Sequence, residues 1–235
     1  MADLANGTGL GHLTEPARNR YFFGKLLDAT NLEREQAYVN RKRWLLNRLG
    51  LGAGVMCGLD VVVANDGRRI VVRPGVAVDG FGREIVVPAD SPPVDPRRPT
   101  DEHGQSAATA LSGAATVTIC LAYHECPADP VRALVPDCDT VNGCEAGTIR
   151  ERYAIVVRHE TPPAVARPTR LSGLFAEPAA SACVVLARVD LPAAETDAPT
   201  VETASVRPVV YSNALLLELI LSLAERVDEC CQNHP

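Results

Sequence analysis

Residues 59–87 have the sequence LDVVVANDGRRIVVRPGVAVDGFGREIVV, in which short runs rich in valine and isoleucine alternate with turn signals. The first two runs, beginning at Leu59, flank Asn-Asp-Gly at positions 65–67, and Asp-Gly tolerates the positive φ angles of a tight hairpin turn. The last two runs, ending at Val87, flank a second tight turn, Asp-Gly-Phe-Gly at positions 79–82. The stretch therefore predicts a meander of short antiparallel strands.

Upstream of the meander, the sequence predicts one helix that begins near Asp28. Residues 30–33, Thr-Asn-Leu-Glu, fit a capping box, in which the threonine oxygen and the glutamate carboxylate each meet an unpaired backbone N–H group. Leu32, Val39 and Leu46 recur every seven residues and form one apolar stripe. A glycine-rich stretch follows and is expected to end the helix.

The same predicted helix carries a basic stripe, because Arg34, Arg41 and Arg48 also recur every seven residues. Such a stripe could bind a phosphate backbone or an acidic protein surface, and it also suits a solvated helix face. The formal net charge of −6 argues against general nucleic-acid binding, which needs an excess of positive charge. If the stripe binds a partner, we therefore predict an acidic protein and not a nucleic acid.

Further strands are expected at residues 116–123, 149–158 and 182–189. Between them, the composition predicts a long mobile loop at 88–113 and an irregular cysteine-bearing insertion at 126–147. Only 4% of the residues are aromatic although 46% are hydrophobic, so the core is expected to consist of valine, leucine, alanine and isoleucine. Small branched side chains of this kind suit β-sheets.

These elements predict an α+β, mostly β fold with an N-terminal helix, an antiparallel β-meander or sandwich core, and a C-terminal helix. The predicted units are an N-terminal arm at 1–19, a helix and β core domain at 20–190, a linker with a strand at 191–211, and a C-terminal helix and tail at 212–235.

The C-terminal helix carries a short heptad seam. Its members are spaced alternately three and four residues apart: Asn213, Leu216, Ile220, Leu223, Val227 and Cys230. An asparagine at the first seam position is typical of a residue that sets the register of an oligomer. The same pattern suits a helix that packs on its own domain, so self-association and intramolecular packing both stay open.

The N-terminal residues lack the basic and then apolar pattern of a secretory signal, and no apolar run is long enough to span a bilayer. The expected location is therefore the cytoplasm. The eight cysteines should be reduced in that compartment, which favours thiols or metal ligands over disulfides.

The candidate metal ligands are His124, Cys126, Cys138 and Cys144. Thiolates and an imidazole within one irregular insertion are what zinc needs, although no Cys-x-x-Cys pair is present to preorganise the site. These cysteines could equally be unligated structural thiols, or Cys138 and Cys144 could close a small disulfide loop under oxidising conditions. The sequence has no phosphate-binding loop, serine nucleophile elbow or His-Glu-x-x-His motif. We therefore expect no catalytic residues, and zinc is the one possible cofactor.

Several motifs resemble a bacterial family that is associated with gene clusters for phage tail-like contractile injection particles and with phage baseplate or fibre genes. The motifs are YFFGKLL at 21–27, GVMCGL at 54–59, the stretch from PG at 74–75 to GREI at 82–85, YHECPADPV at 123–131 and SNALL at 212–216. The resemblance covers most of the chain. It implies a structural component of such a particle, at the baseplate, the fibre attachment or the tail tip.

A component of this kind is expected to bind other subunits of the particle, to form a homo-oligomer such as a trimer or hexamer, and to assemble in the cytoplasm. The residues expected to contact partners are Phe22, Phe23, Arg34, Arg41, Leu216, Ile220 and Leu223. Phe22 and Phe23 could anchor the N-terminal arm in a neighbour, because aromatic side chains dominate interface energetics. Alternatively, both rings are buried against their own helix.

Two other functions are compatible with the sequence. The protein could be a binding module that recognises a cell-surface ligand through its long loops, above all residues 88–113. It could also be a zinc-dependent enzyme built on residues 126–144, which would require an open coordination position on the metal.

Overall fold

Two helices and nine strands make up the fold in the computed structural model, which describes residues 15–101, 104–107, 109–132, 144–162, 181–194 and 196–232. Helix α1 spans Ala29–Leu46 and continues into a π-helical turn at Asn47–Leu51, and helix α2 spans Asn213–Gln232. The strands are β1 Gly54–Gly58, β2 Val61–Val63, β3 Ile70–Val72, β4 Gly75–Val78, β5 Glu84–Val87, β6 Ala115–Arg132, β7 Cys144–Arg158, β8 Cys183–Leu191 and β9 Thr200–Glu202. The predicted α+β, mostly β class is confirmed.

The described strands form three antiparallel sheets. The first has the order β1-β4-β5, the second is the β2-β3 hairpin, and the third has the order β7-β6-β8-β9. Both predicted hairpins are confirmed, since Val63 pairs with Ile70 and Val78 pairs with Glu84 on either side of the two turns.

Strand β1 is the element that the sequence does not predict. Glycine is depleted in strands, and Gly54 and Gly58 stand at the two ends of this one. Leu59 then turns the chain with a φ angle of 60°, and its N–H donates to the carbonyl of Pro74 at 3.1 Å. The strand expected to begin at Leu59 therefore begins at Val61.

The larger of two hydrophobic clusters lies between the sheets and takes residues from all three of them. Its largest fully buried side chains are Leu59, Ile70, Ile85, Ile119, Leu121 and Leu186. All of these are aliphatic, as the low aromatic content predicts. Helix α1 contributes no buried residue, so the strands rather than the helices build the core.

Helix α1 begins with a different cap from the one that the sequence predicts. The N-cap is Asp28, whose carboxylate accepts the backbone N–H of Asn31 at 2.8 Å. Thr30 lies inside the helix, so the capping box at 30–33 is wrong. Asp28 caps the helix because aspartate is also a strong N-cap residue and its backbone is still extended. The N–H of Asn31 holds the pKa of the Asp28 carboxyl below its ordinary value.

Strands β6 and β7 extend well beyond the predicted 116–123 and 149–158. Their pairing runs from Thr118 opposite Arg158 to Arg132 opposite Cys144, so both ends of the expected irregular insertion are strand. Proline suggested that β6 would stop early. Beyond Ala122, however, β8 no longer pairs with β6, and an edge strand tolerates residues that lack an N–H. We call residues 123–132 and 144–153 the β6–β7 ribbon.

The segment at 88–113 is irregular, as predicted, and its described part is hydrogen-bonded to the four-stranded sheet. Thr100 donates its backbone N–H to the carbonyl of Val157 at 2.9 Å, and its hydroxyl accepts the Val157 N–H at 2.7 Å. Arg97 donates to the carbonyl of Gly113 at 2.9 Å and to that of Pro192 at 2.6 Å. The Thr100 bonds cover part of the outer edge of β7, and the Arg97 bonds join the segment to the residues that flank β6 and β8.

Candidate assembly surfaces

Helix α2 is apolar around most of its circumference and is exposed. Its N-terminus is capped by Ser212, whose hydroxyl accepts the N–H of Leu215 at 3.2 Å. The predicted seam residues Leu216, Ile220 and Leu223 are 41%, 63% and 61% exposed. Other large apolar residues of the helix are exposed as well: Leu215, Leu217, Leu219, Leu221 and Val227. A broad apolar helix face of this kind is ordinarily packed against a core, yet the described residues of this chain leave α2 uncovered.

The segment before α2 is fixed to strand β1 by backbone hydrogen bonds. The N–H of Val55 donates to the carbonyl of Pro208 at 2.8 Å, and the N–H of Val210 donates back to the carbonyl of Val55 at 2.9 Å. Val206 and Val210 are buried. The first residues of α2 therefore follow directly on a segment that belongs to the core, whereas the helix itself points away from it.

Arg207 strengthens this attachment. Its guanidinium donates to the carbonyl of Gly58 and forms an ion pair with Asp60 at 3.2 Å, and its side chain is only 13% exposed.

We expect Arg207→Ala to lower the free energy of unfolding by about 2 kcal/mol, because it removes a half-buried, charge-assisted contact between distant parts of the chain. Arg73→Ala is the control, because Arg73 pairs with Asp90 at 2.5 Å where both side chains are about half exposed, and its loss should cost less than about 1 kcal/mol. Urea unfolding of both variants checks the difference, and equal losses would argue against a special role for Arg207.

Helix α1 is also exposed on its apolar stripe. Leu32, Val39 and Leu46 are 55%, 55% and 72% exposed. The basic residues Arg34 and Arg41 are exposed on the same helix. The structure therefore leaves the apolar stripe accessible, together with two of the three arginines of the basic stripe, since Arg48 is half-buried.

The aromatic residues before α1 are not buried against it. Phe22 is 63% exposed and Phe23 is fully exposed, so the alternative that both rings pack on their own helix is wrong in this structure. The neighbouring side chains of Tyr21 and Leu26 are exposed as well. This segment thus adds to the uncovered apolar surface near α1.

The C-terminal end of α1 is attached to the turn between β4 and β5. Arg43 forms an ion pair with Glu84 at 3.0 Å, and the Asn47 amide donates to Glu84 and to the carbonyl of Gly82 at 2.9 Å each. Gly82 lies so close to α1 that an added Cβ would stand 2.0 Å from the carbonyl oxygen of Trp44. Polar side-chain bonds and a close backbone contact at a glycine, and not burial of apolar side chains, therefore position this helix.

The candidate metal ligands are only partly brought together. His124 and Cys126 share one face of the ribbon, with the Nε2 and Sγ atoms 3.6 Å apart. Cys126 lies opposite Arg150, whereas Cys144 is six residues further along β7, which is about 20 Å at about 3.3 Å per residue. One ion cannot bind both cysteines in this arrangement. Cys138 lies outside the described residues, and within them no group of three or more histidine, cysteine and acidic side chains could hold a metal.

The structure brings together two other cysteines, a pairing that the sequence does not predict. Cys120 and Cys183 are buried on adjacent strands, and their side chains interact. The hydrogen bond with Cys183 and burial raise the pKa of the Cys120 thiol above its ordinary value, so that this thiol stays protonated. The two residues are far apart in sequence, and only the pairing of β6 with β8 places them together.

No family model matches the chain, and no curated protein matches it. It is similar in structure to TssK, with a TM-score of 0.44 and 12% identity over 80% of this chain. It is also similar to a chain of the baseplate complex from the type VI secretion system, with a TM-score of 0.48 and 13% identity over 94% of this chain. The chain spans 41% of the length of the first structure and 69% of the second.

Neither α1 nor α2, over the residues described, is long and apolar enough to cross a bilayer.

Proposed function

We propose that the protein is a structural assembly subunit or adapter of a phage tail-like contractile injection particle, at its baseplate, fibre attachment or tail tip. The observation that carries the proposal is the exposed apolar surface of α2. Burying one large aliphatic side chain contributes about 1.5–3 kcal/mol, so a neighbour that covers this helix gains several times that amount. The sequence motifs at 21–27, 54–59 and 123–131 support the choice of a contractile particle as the assembly.

The seam of α2 is the proposed site of self-association. Leu216, Ile220 and Leu223 are spaced for knobs-into-holes packing, and Asn213 stands at the first seam position, where a polar residue restricts register and oligomer state. A closed oligomer such as a trimer or hexamer would bury the seam between its subunits. We expect this oligomer to form in the cytoplasm, before or during assembly of the particle.

The surface around α1 is the proposed site for other subunits. Phe22 and Phe23 offer exposed aromatic rings, which are frequent anchors of protein interfaces. Arg34 and Arg41 are exposed and positively charged on α1 and would favour an acidic partner surface.

The seam is tested by replacing Leu216, Ile220 and Leu223 together with glutamine and measuring the mass of the native protein by light scattering. We expect a discrete oligomer for the wild type and a monomer for the variant. The matched control replaces Leu215 and Leu221, which lie on the same helix outside the seam and its flanking positions and are also exposed. Because none of these side chains is buried, both variants should keep the wild-type circular dichroism spectrum.

A wild-type protein that stays monomeric, or a control variant that dissociates as completely as the seam variant, would argue against the seam. Metal analysis of the same sample addresses the zinc candidate. Near-stoichiometric zinc would direct attention to His124 and Cys126, the two candidate ligands that the structure brings together.

A further inference from the structure

Most of the β6–β7 ribbon projects beyond the end of β8, and beyond its base no other described residue covers either face. Strand β8 pairs with β6 only as far as Ala122. Tyr123 and Tyr153, at the base of the ribbon, still pack against the core. From His124 opposite Arg152 to Arg132 opposite Cys144, the strands pair only with each other among the described residues. Ten residues per strand extend about 30 Å. An isolated two-stranded ribbon is marginally stable in water, so a structure of this length gains from a partner.

The two faces of the ribbon carry opposite charge. Side chains alternate between the faces along each strand, and the register places even-numbered residues of both strands on one face and odd-numbered residues on the other. The even face carries Arg132, Arg150 and Arg152, together with His124. The odd face carries Glu125, Glu145 and Glu151.

One residue departs from the alternation. Asp129 has a φ angle of 52°, and its carboxylate accepts from Thr148 at 2.6 Å and from Arg150 at 2.7 Å, both on the even face. The even face therefore carries three arginines, one histidine and one aspartate, so its net charge remains positive.

The acidic face is unfavourable when it stands alone. Glu125 and Glu151 are direct register partners, and like charges in that position destabilise an antiparallel pair. Val131 and Ile149, each 53% exposed, lie on the same face. A basic surface that also offers aliphatic arginine stems would relieve the repulsion and cover the apolar side chains.

We propose that the ribbon is a self-interaction surface, in which the basic face of one copy lies on the acidic face of the next copy. The chain itself supplies both complementary surfaces, and its net charge of −6 makes a nucleic acid a poor partner for the basic face. The contact joins two different patches, so it is heterologous and generates a ring if the rotation closes. This interaction is separate from the α2 seam.

The contact has a characteristic response to salt. Raising the ionic strength from about 0.1 M to about 1 M shortens the Debye length from about 10 Å to about 3 Å and weakens interactions between exposed charges. Sedimentation equilibrium of the full-length protein should therefore show a dissociation constant that is about tenfold weaker at the higher salt. Apolar association through α2 is not weakened in this way, so the two contacts can be told apart.

The decisive experiment reverses the charge of one face at a time. Arg132→Glu with Arg152→Glu makes both faces acidic, and leaves the pair between Asp129 and Arg150 in place. Glu145→Arg with Glu151→Arg makes both faces basic, and places an arginine opposite Glu125. Each variant alone should lose the salt-sensitive association. An equimolar mixture should regain it, because faces of opposite sign then meet again.

Arg18→Glu with Arg68→Glu is the control. It changes the net charge by the same amount as the first variant, at exposed positions outside the ribbon. This control should associate as the wild type does. The proposal is overturned if the wild type shows no salt-sensitive association, if either ribbon variant associates like the wild type, or if the mixture stays dissociated. Loss of association only in the α2 seam variant would support the seam and reject the ribbon.

Discussion

Replacing Asp79 by asparagine is expected to lower the free energy of unfolding by about 3 kcal/mol, because it removes one partner of a buried ion pair. Asp79 is completely buried in the turn between β4 and β5. Its carboxylate accepts the backbone N–H groups of Phe81 and Arg83 at 2.9 Å each. It also accepts two bonds at 2.7 Å from the Arg83 guanidinium.

The position of Arg83 makes this loss large. Its guanidinium lies 5.0 Å from the centre of the Phe81 ring and 4.7 Å from that of Tyr123. Asp79 thus holds a cation between two aromatic rings at the base of the β6–β7 ribbon. With asparagine, the guanidinium stays in this partly enclosed place without its counter-charge.

The other hairpin provides a matched control. Asp66 accepts the backbone N–H groups of Arg68 and Arg69 at 3.0 Å each and pairs with the Arg69 side chain, which is nearly the same set of contacts. The Asp66 side chain is 34% exposed. Water can therefore replace much of the interaction with Arg69 that Asp66→Asn removes. Thermal or urea unfolding should show a clearly smaller loss for Asp66→Asn. Similar losses at both positions would contradict the role given to burial.

Replacing Gly82 by alanine is the second change with a large expected effect, a loss of about 3 kcal/mol. Gly82 has a φ angle of 87°, which costs a residue with a Cβ about 1–2 kcal/mol. The new Cβ would also stand 2.0 Å from the Trp44 carbonyl oxygen, so α1 must move away from the β4–β5 turn. The bonds from Asn47 to Gly82 and Glu84 would then weaken or break.

Trp44 is the only tryptophan, so its fluorescence reports directly on the position of α1. We expect its emission to change in Gly82→Ala. In Gly67→Ala the same backbone strain occurs without a clash, since Gly67 has a φ angle of 71° and no atom within 4 Å of the added Cβ. That control should lose about 1 kcal/mol with unchanged Trp44 emission. Equal losses and equal spectra in the two variants would mean that the contact with Trp44 does not position α1.

Local sequence patterns predicted much of the fold. The Asp-Gly signals at 66–67 and 79–80 identified both hairpins, because turn chemistry is a property of a few adjacent residues. Strand β1 was missed because its glycines disfavour strands in isolation, and only its pairing with β4 stabilises it. The length of β6 was missed because proline excludes central strands and not edges, and the sequence does not say which strand is an edge.

The candidate surfaces were predicted less completely. Spacing identified the seam of α2, but a seam that packs on its own domain and one that faces a partner have the same spacing. Exposure of Leu216, Ile220 and Leu223 is information that only three-dimensional structure gives. The opposite charges of the ribbon faces were hidden for a related reason. Arg152 and Glu125 fall on different faces only once the register of β6 and β7 is known.

The attachment of residues 207–210 to β1 also constrains the order in which the chain acquires its shape during synthesis. Arg207 and Asp60 are 147 residues apart, and contacts of such long sequence separation form slowly and late. A nascent chain on the ribosome can complete its hairpins well before the partner of Val55 has been translated. Helix α2 gains a fixed place on the molecule only after that final pairing. A chain in which residues 207–210 have not yet been translated would therefore lack the attachment that positions α2.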